Sequence, residues 1–68
     1  MKDLTMKQAD VLLFILSFIQ DRGYPPSVRD IADGIGVTTK GASDFLSALQ
    51  KKGRITWESK KSRTIRIL

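Results

Sequence analysis

Apolar residues recur along the first third of the chain with the period of a helix. At about 100° per residue, Val11, Phe14, Ile15, Phe18 and Ile19 fall on one stripe, and Leu12 and Leu16 widen it. Asp10, Ser17, Gln20 and Asp21 fall opposite, and Leu13 lands among these polar positions. Thr5 and Gln8 have the spacing of a capping box, in which the hydroxyl accepts from a first-turn amide while the Gln side chain reaches back to the cap residue's N–H. Gly23 supplies a left-handed terminating residue, and Pro25-Pro26 blocks continuation. The pattern predicts a helix over about 6–22.

Ser27 with Asp30 repeats the capping logic, and Val28, Ile31, Ala32 and Ile35 follow at helical spacing until Gly36. This predicts a second helix over about 28–35. Thr38 or Thr39 can cap a third, over about 39–52, whose apolar positions Ala42, Phe45, Leu46 and Leu49 hold the period up to Gly53. Beyond Arg54 the pattern becomes alternation. Ile55 and Trp57 share one face, Ser59-Lys60-Lys61-Ser62 form a polar tip, and Ile65 and Ile67 alternate with Thr64 and Arg66. A β-hairpin over about 54–68 is expected, with no repeat or internal linker, so residues 1–68 read as a single domain.

The second and third helices are joined by a very tight turn. Small residues at Ala32, Gly36 and Ala42 let two helices cross closely, Gly36 giving the positive φ of the turn, with Ile31, Ile35, Val37, Phe45 and Leu46 packed beneath. An ordinary helical hairpin without a ligand fits that spacing too. The element order gives a mainly α fold with a small β-hairpin, a three-helix winged helix-turn-helix.

Composition narrows the function. There is no cysteine and no histidine, so thiolate nucleophiles, disulfides, the commonest metal ligand and the commonest general base are all missing. Neither catalysis, a cofactor nor a metal is expected. The longest apolar run, Val11 to Leu16, falls far short of the roughly 20 residues that span a bilayer and lacks a signal-type cleavage site, so a cytoplasmic location without membrane contact is expected. The net charge of +5 is unevenly spread. Residues 1–39 carry four cationic side chains against five aspartates, whereas residues 40–68 carry eight against Asp44 and Glu58. The basic surface belongs to the C-terminal half, which holds both the third helix and the hairpin. A cationic cluster around a projecting helix is the footprint of a protein that binds double-stranded DNA.

A projecting third helix can enter a major groove with its N-terminal residues against base edges. On that reading Thr39, Lys40, Ser43, Asp44 and Ser47 face outward from the Phe45/Leu46/Leu49 stripe. Lys40 can donate to guanine O6 or N7, and Thr39 can touch a thymine methyl or a base edge. Asp44 either accepts from cytosine N4 or merely caps and solvates its helix. Ser27, Arg29, Thr38, Lys60, Lys61 and Arg63 suit contacts to the DNA backbone, the last three as a wing tip.

Other features have plainer readings. Tyr24-Pro25-Pro26 is a rigid lead-in to the second helix, since two prolines do not make a sustained polyproline segment. Trp57, alternating with Ile55, is expected to cover the edge of the core, with base stacking as the alternative role. Leu13, with Leu16 beside it, could mark a homodimer or protein-partner contact, which motivates a competing function as an adaptor or antirepressor. Charge-driven, non-specific DNA binding is the other competitor.

The residues also carry a family resemblance. Met1-Lys2 through Leu4-Thr5, Gln8, Val11, Ile15 and Ile19, then Gly23-Tyr24-Pro25-Pro26-Ser27-Val28-Arg29-Asp30-Ile31-Ala32, closely resemble the N-terminal DNA-binding domain of LexA-type repressors. The likeness continues through Leu46-Ser47-Ala48-Leu49, Lys52-Gly53, Ser62-Arg63 and Ile65-Arg66. It implies a repressor domain whose third helix reads operator DNA, as one half of a dimer on a two-fold-related site, at the nucleoid of a bacterial or phage-type host. The segment Gly36-Val37-Thr38-Thr39-Lys40-Gly41-Ala42 is one residue shorter than the LexA pattern, so the base-reading region is altered. LexA-like proteins continue into a linker and a self-cleaving domain with a serine–lysine dyad. Dimerisation and damage-induced inactivation belong to that domain, and the serines and Lys40 of this chain are not read as such a dyad.

Overall fold

Thr5 opens the first helix, α1 (Met6–Arg22), with the reciprocal capping box its spacing implies. The Gln8 N–H donates to Thr5 Oγ1 at 3.1 Å, and the Thr5 N–H donates to Gln8 Oε1 at 3.2 Å. Gly23, at φ 80°, closes the helix by donating to the Ile19 carbonyl at 2.8 Å. The computed structural model describes residues 3–68; Met1 and Lys2, where the family resemblance begins, lie outside the described residues.

Helix α2 (Val28–Ile35) is capped by Ser27 and Asp30 in the same reciprocal manner and ends at Gly36, φ 85°. Only Gly36, Val37 and Thr38 separate it from α3 (Thr39–Lys51), where Thr38 is the cap and accepts from the Gly41 N–H at 3.0 Å. Helix α3 stops one residue short of the expected Lys52, which occupies the C-cap, and Gly53 turns the chain at φ 76°. Ends differing by a residue reflect fraying of the last turn.

The core lies where the three helices meet the hairpin. Val11, Leu12 and Ile15 of α1, Ile31 and Ala32 of α2, Ala42, Leu46 and Leu49 of α3, and Ile55 and Ile65 of the hairpin form one buried cluster. Ala32 and Ala42 are both buried, which is the close helix crossing that their size permits. Phe14, Ile19, Val28, Ile35, Val37, Phe45 and Trp57 pack around this centre, partly buried.

One apolar position departs from the sequence reading. Leu16 was expected to widen the buried stripe of α1, yet it is 37 % exposed beside Leu13 at 51 %. It sits about 100° around the helix from Ile15, at the edge of an open groove of ≈ 720 Å³ that Ile19, Pro25 and Ile67 also line. Ile67, which alternates with Ile65 along the hairpin, is 36 % exposed whereas Ile65 is buried.

The hairpin is shorter than the alternation suggested. Its ladder is only β1 (Ile55–Thr56) against β2 (Arg66–Ile67), antiparallel, with Ile55 opposite Ile67 and Thr56 opposite Arg66. The remainder is a loop organised by Thr64. Its Oγ1 accepts from the Glu58 N–H at 3.0 Å and lies 3.0 Å from the Glu58 carbonyl, to which its hydroxyl donates. The observed architecture is three helices and a short two-stranded wing, a winged helix-turn-helix.

Candidate nucleic-acid interface

Helix α3 presents its polar side away from the core. With Ala42, Leu46 and Leu49 buried, residues about 180° away by helical geometry are Lys40, Asp44, Ser47 and Lys51, all exposed and spaced three or four apart. Thr39 is exposed in the first turn, and Ser43 is partly buried at the flank of the stripe. Lys40, Asp44 and Ser47 are therefore aligned, with Thr39 and Ser43 beside them. Lys51 was not singled out from the sequence, although its position seven residues beyond Asp44 puts it on the same stripe. Asp44 makes no capping hydrogen bond; that role belongs to Thr38.

The residues expected at the DNA backbone divide into two groups. Arg29, Lys60 and Lys61 are exposed and form no ion pair among the described residues. Lys60 and Lys61 stand at the wing tip, where the Lys61 N–H donates to the Glu58 carbonyl at 3.1 Å. The Ser27 and Thr38 hydroxyl oxygens accept from helix amides; the Thr38 proton is left available to an outside acceptor, whereas the Ser27 hydroxyl also bonds the Asp30 carboxyl.

Arg63 lies elsewhere than at the tip. Its Nη1 donates to the Pro25 carbonyl at 3.0 Å and pairs with Asp30 Oδ2 at 3.1 Å, and its guanidinium carbon stands 4.8 Å from the centre of the Tyr24 ring. Arg63 also has φ 57°, the one non-glycine residue with positive φ among the described residues. Lys52 and Arg54 are similarly engaged with the N-terminal segment. Lys52 Nζ donates to the Asp3 carbonyl and, at 2.8 Å, to Gln8 Oε1, while the Arg54 guanidinium pairs with the Asp3 carboxylate. Among the described residues three of the eight cations of the C-terminal half are thus tied internally, and those without such a contact stand on α3, at the wing tip and, for Arg66, on β2.

These contacts set the state of two carboxylates. The hydrogen bond from Arg54 holds the Asp3 carboxyl below its ordinary range. The Ser27 backbone N–H above all, with the Ser27 side chain and Arg63, does the same for Asp30 against an opposing effect of burial larger than the contribution of the Ser27 side chain. A folded-state value below the unfolded one means that Asp30 stabilises the domain above about pH 4 and stops doing so as pH falls through the folded value. Melting curves between pH 7 and pH 2.5 should therefore show the chain more stable than its Asp30→Asn variant near neutrality, with the gap closing in acid. A gap independent of pH would show that the carboxylate charge contributes nothing.

Among the described residues no three of His, Cys, Asp or Glu converge as a metal site, and no helix is long and apolar enough to cross a membrane. The surface offered is an exposed polar face of α3, with two further exposed cations at the wing tip.

Known proteins resemble this sequence. The profile of the LexA DNA binding domain matches residues 1–64. The LexA repressor of Leptospira interrogans serovar copenhageni is 48% identical over 68 residues, covering 100% of this chain and 34% of the relative. The LexA repressor of Leptospira biflexa is 47% identical over 68 residues, with the same coverage of each chain. That of Thermotoga maritima is 54% identical over 67 residues, 98% of this chain and 34% of the relative. The chain spans about a third of the length of the curated relatives it matches.

Proposed function

The chain belongs to the LexA DNA-binding domain family, and from that premise we propose that it reads operator DNA for a transcriptional repressor, with α3 in the major groove. One observation carries this reading: the exposed stripe Lys40, Asp44, Ser47 opposite the buried Ala42, Leu46 and Leu49, immediately after the tight turn from α2. A helix of 13 residues is about 20 Å long, and with its side chains fits a groove roughly 12 Å wide. Lys40 and Thr39, in the first turn, reach base edges, and Ser43 and Ser47 donate or accept along the same groove wall. Asp44 accepts from a cytosine amine; its lack of a capping bond and its place on the stripe support that role over a merely solvated one.

Lys60 and Lys61 meet the backbone or minor groove on one side of α3, and Arg29 with the Thr38 hydroxyl meets phosphates near the helix starts. None of these reads sequence; they fix register. The operator is a two-fold-related site occupied by two copies, and the protein works in the cytoplasm at the nucleoid.

Selection of bound duplexes from a random pool tests the proposal. A recurrent two-fold motif is expected for the parent chain, with Lys40→Ala or Ser43→Ala changing which bases are enriched. Asp44→Ala should relax preference at one base pair; a uniform rise in affinity for every duplex would show that Asp44 only repels phosphates. No enrichment at all would overturn sequence-specific reading in favour of charge-driven binding or of a protein partner.

A further inference from the structure

We propose that Arg63 is a positioning residue, a latch that fastens the wing to the start of α2 and sets where Lys60 and Lys61 meet DNA, rather than a phosphate contact itself. The inference rests on the DNA-binding reading above but assigns Arg63 a different task from its neighbours in the wing.

The guanidinium is already engaged through Nη1 and through one face. It donates to the Pro25 carbonyl, pairs with Asp30 and lies over the Tyr24 ring, so every partner comes from the short segment that leads into and caps α2. The same Asp30 Oδ2 that Arg63 approaches at 3.1 Å also accepts the Ser27 N–H at 3.0 Å. One carboxylate oxygen thus joins the helix cap to the wing. Tyr24 is held in turn, edge-on to Phe18 with ring centres 5.7 Å apart.

The wing needs such a fastening. Its ladder has two residue pairs, and a two-stranded hairpin is marginal in water without packing from elsewhere. The positive φ of Arg63 turns the chain so that this side chain returns to the body of the domain while Lys60 and Lys61 stay exposed. A planar guanidinium lays its face on the ring while Nη1 serves the carbonyl and the carboxylate; an ammonium is a compact, more strongly hydrated charge that cannot stack in this way.

The test uses Arg63→Lys, which keeps the charge, and Asp30→Asn, whose amide oxygen can still accept the Ser27 N–H. Without DNA, hydrogen exchange of the Glu58 and Lys61 amides should speed up by about two- to fivefold in each variant, as loss of a half-exposed ion pair implies. The double variant should be little worse than either single one, because both break the same contact. Against the selected operator, Arg63→Lys should weaken binding about three- to tenfold, the cost of ordering a loosened loop on binding. The slope of log affinity against log salt should not change. Lys61→Gln should instead make that slope shallower by about 0.9.

Unchanged wing exchange, or additive effects in the double variant, would overturn the latch. So would full affinity in Arg63→Lys together with a slope shallower by about 0.9 in Arg63→Gln, the signature of a phosphate contact. If the parent chain enriches no duplex, the functional reading fails while the exchange measurements still judge the latch.

Discussion

Replacing Leu46 by alanine is expected to leave the domain at or near its unfolding midpoint at room temperature. Leu46 has no exposed surface, and its side chain lies in the cluster shared by all three helices and the wing strand at Ile55. Truncating such a residue removes its transfer free energy and leaves a cavity, together about 2–5 kcal/mol. At roughly 0.05–0.15 kcal/mol per residue, a chain of 68 residues has only about 3–10 kcal/mol of total stability. The substitution therefore removes from about a fifth to all of what holds the fold. Circular dichroism at 222 nm should show a melting midpoint lower by at least about 10 °C, with lost helicity at 25 °C. Ser47→Ala, next in sequence but exposed, should change stability by no more than about 0.5 kcal/mol. If Leu46→Ala melted within a few degrees of the parent, α3 would not be seated on the core face described, and its polar stripe would have another orientation.

That contrast between adjacent residues was readable in the sequence, because it depends only on helical period and on caps a few residues away. Thr5 with Gln8, Ser27 with Asp30, and the glycines at 23, 36 and 53 all act within four residues, and each ends or begins an element where the pattern put it. Leu16 was less legible. Periodicity gives its angle around α1 but not whether a neighbour covers that angle, and here the wing leaves the groove beside it open. The wing itself was harder still. Alternation of apolar residues suggests long strands, whereas Thr64 closes a loop of its own and reduces the ladder to two pairs.

The site was legible as a helix face and obscure as a charge pattern. Counting cations placed Arg63 with Lys60 and Lys61, since nothing local distinguishes them. Its partner Pro25 is 38 positions away, and those of Arg54 and Lys52 are 51 and 49 away. Long-range pairing of this kind leaves no periodic trace. Gly34 is similar: inside α2 it looks like a simple loss of helix propensity, yet a Cβ there would collide with the Phe14 ring, whose Cδ2 would be 3.1 Å away. The glycine lets α1 and α2 approach, a fact visible only once Phe14 is in place.

Separating free cations from latched ones leads to the largest expected effect on binding. The double substitution Lys60→Gln with Lys61→Gln should lower affinity for every duplex about 10–50-fold near 0.15 M salt and make the log–log salt slope shallower by about 1.8, as loss of two phosphate contacts requires. Lys40→Ala should differ in kind. A base-edge contact is worth about 1–3 kcal/mol on the matching sequence, or roughly 5- to 150-fold, and much less on an unrelated duplex. Titrating the selected operator and an unrelated duplex at several salt concentrations measures both quantities for each variant. If Lys40→Ala weakened both duplexes equally with a shallower slope, Lys40 would be another phosphate contact and α3 would not read bases through it. If the wing variant instead lost affinity only for the operator, the tip would be reading sequence in the minor groove. The two outcomes turn on where unpaired positive charge stands, on the first turn of α3 or at the end of a two-pair hairpin, and the internal hydrogen bonds of Lys52 and ion pairs of Arg54 and Arg63 leave those two places distinct.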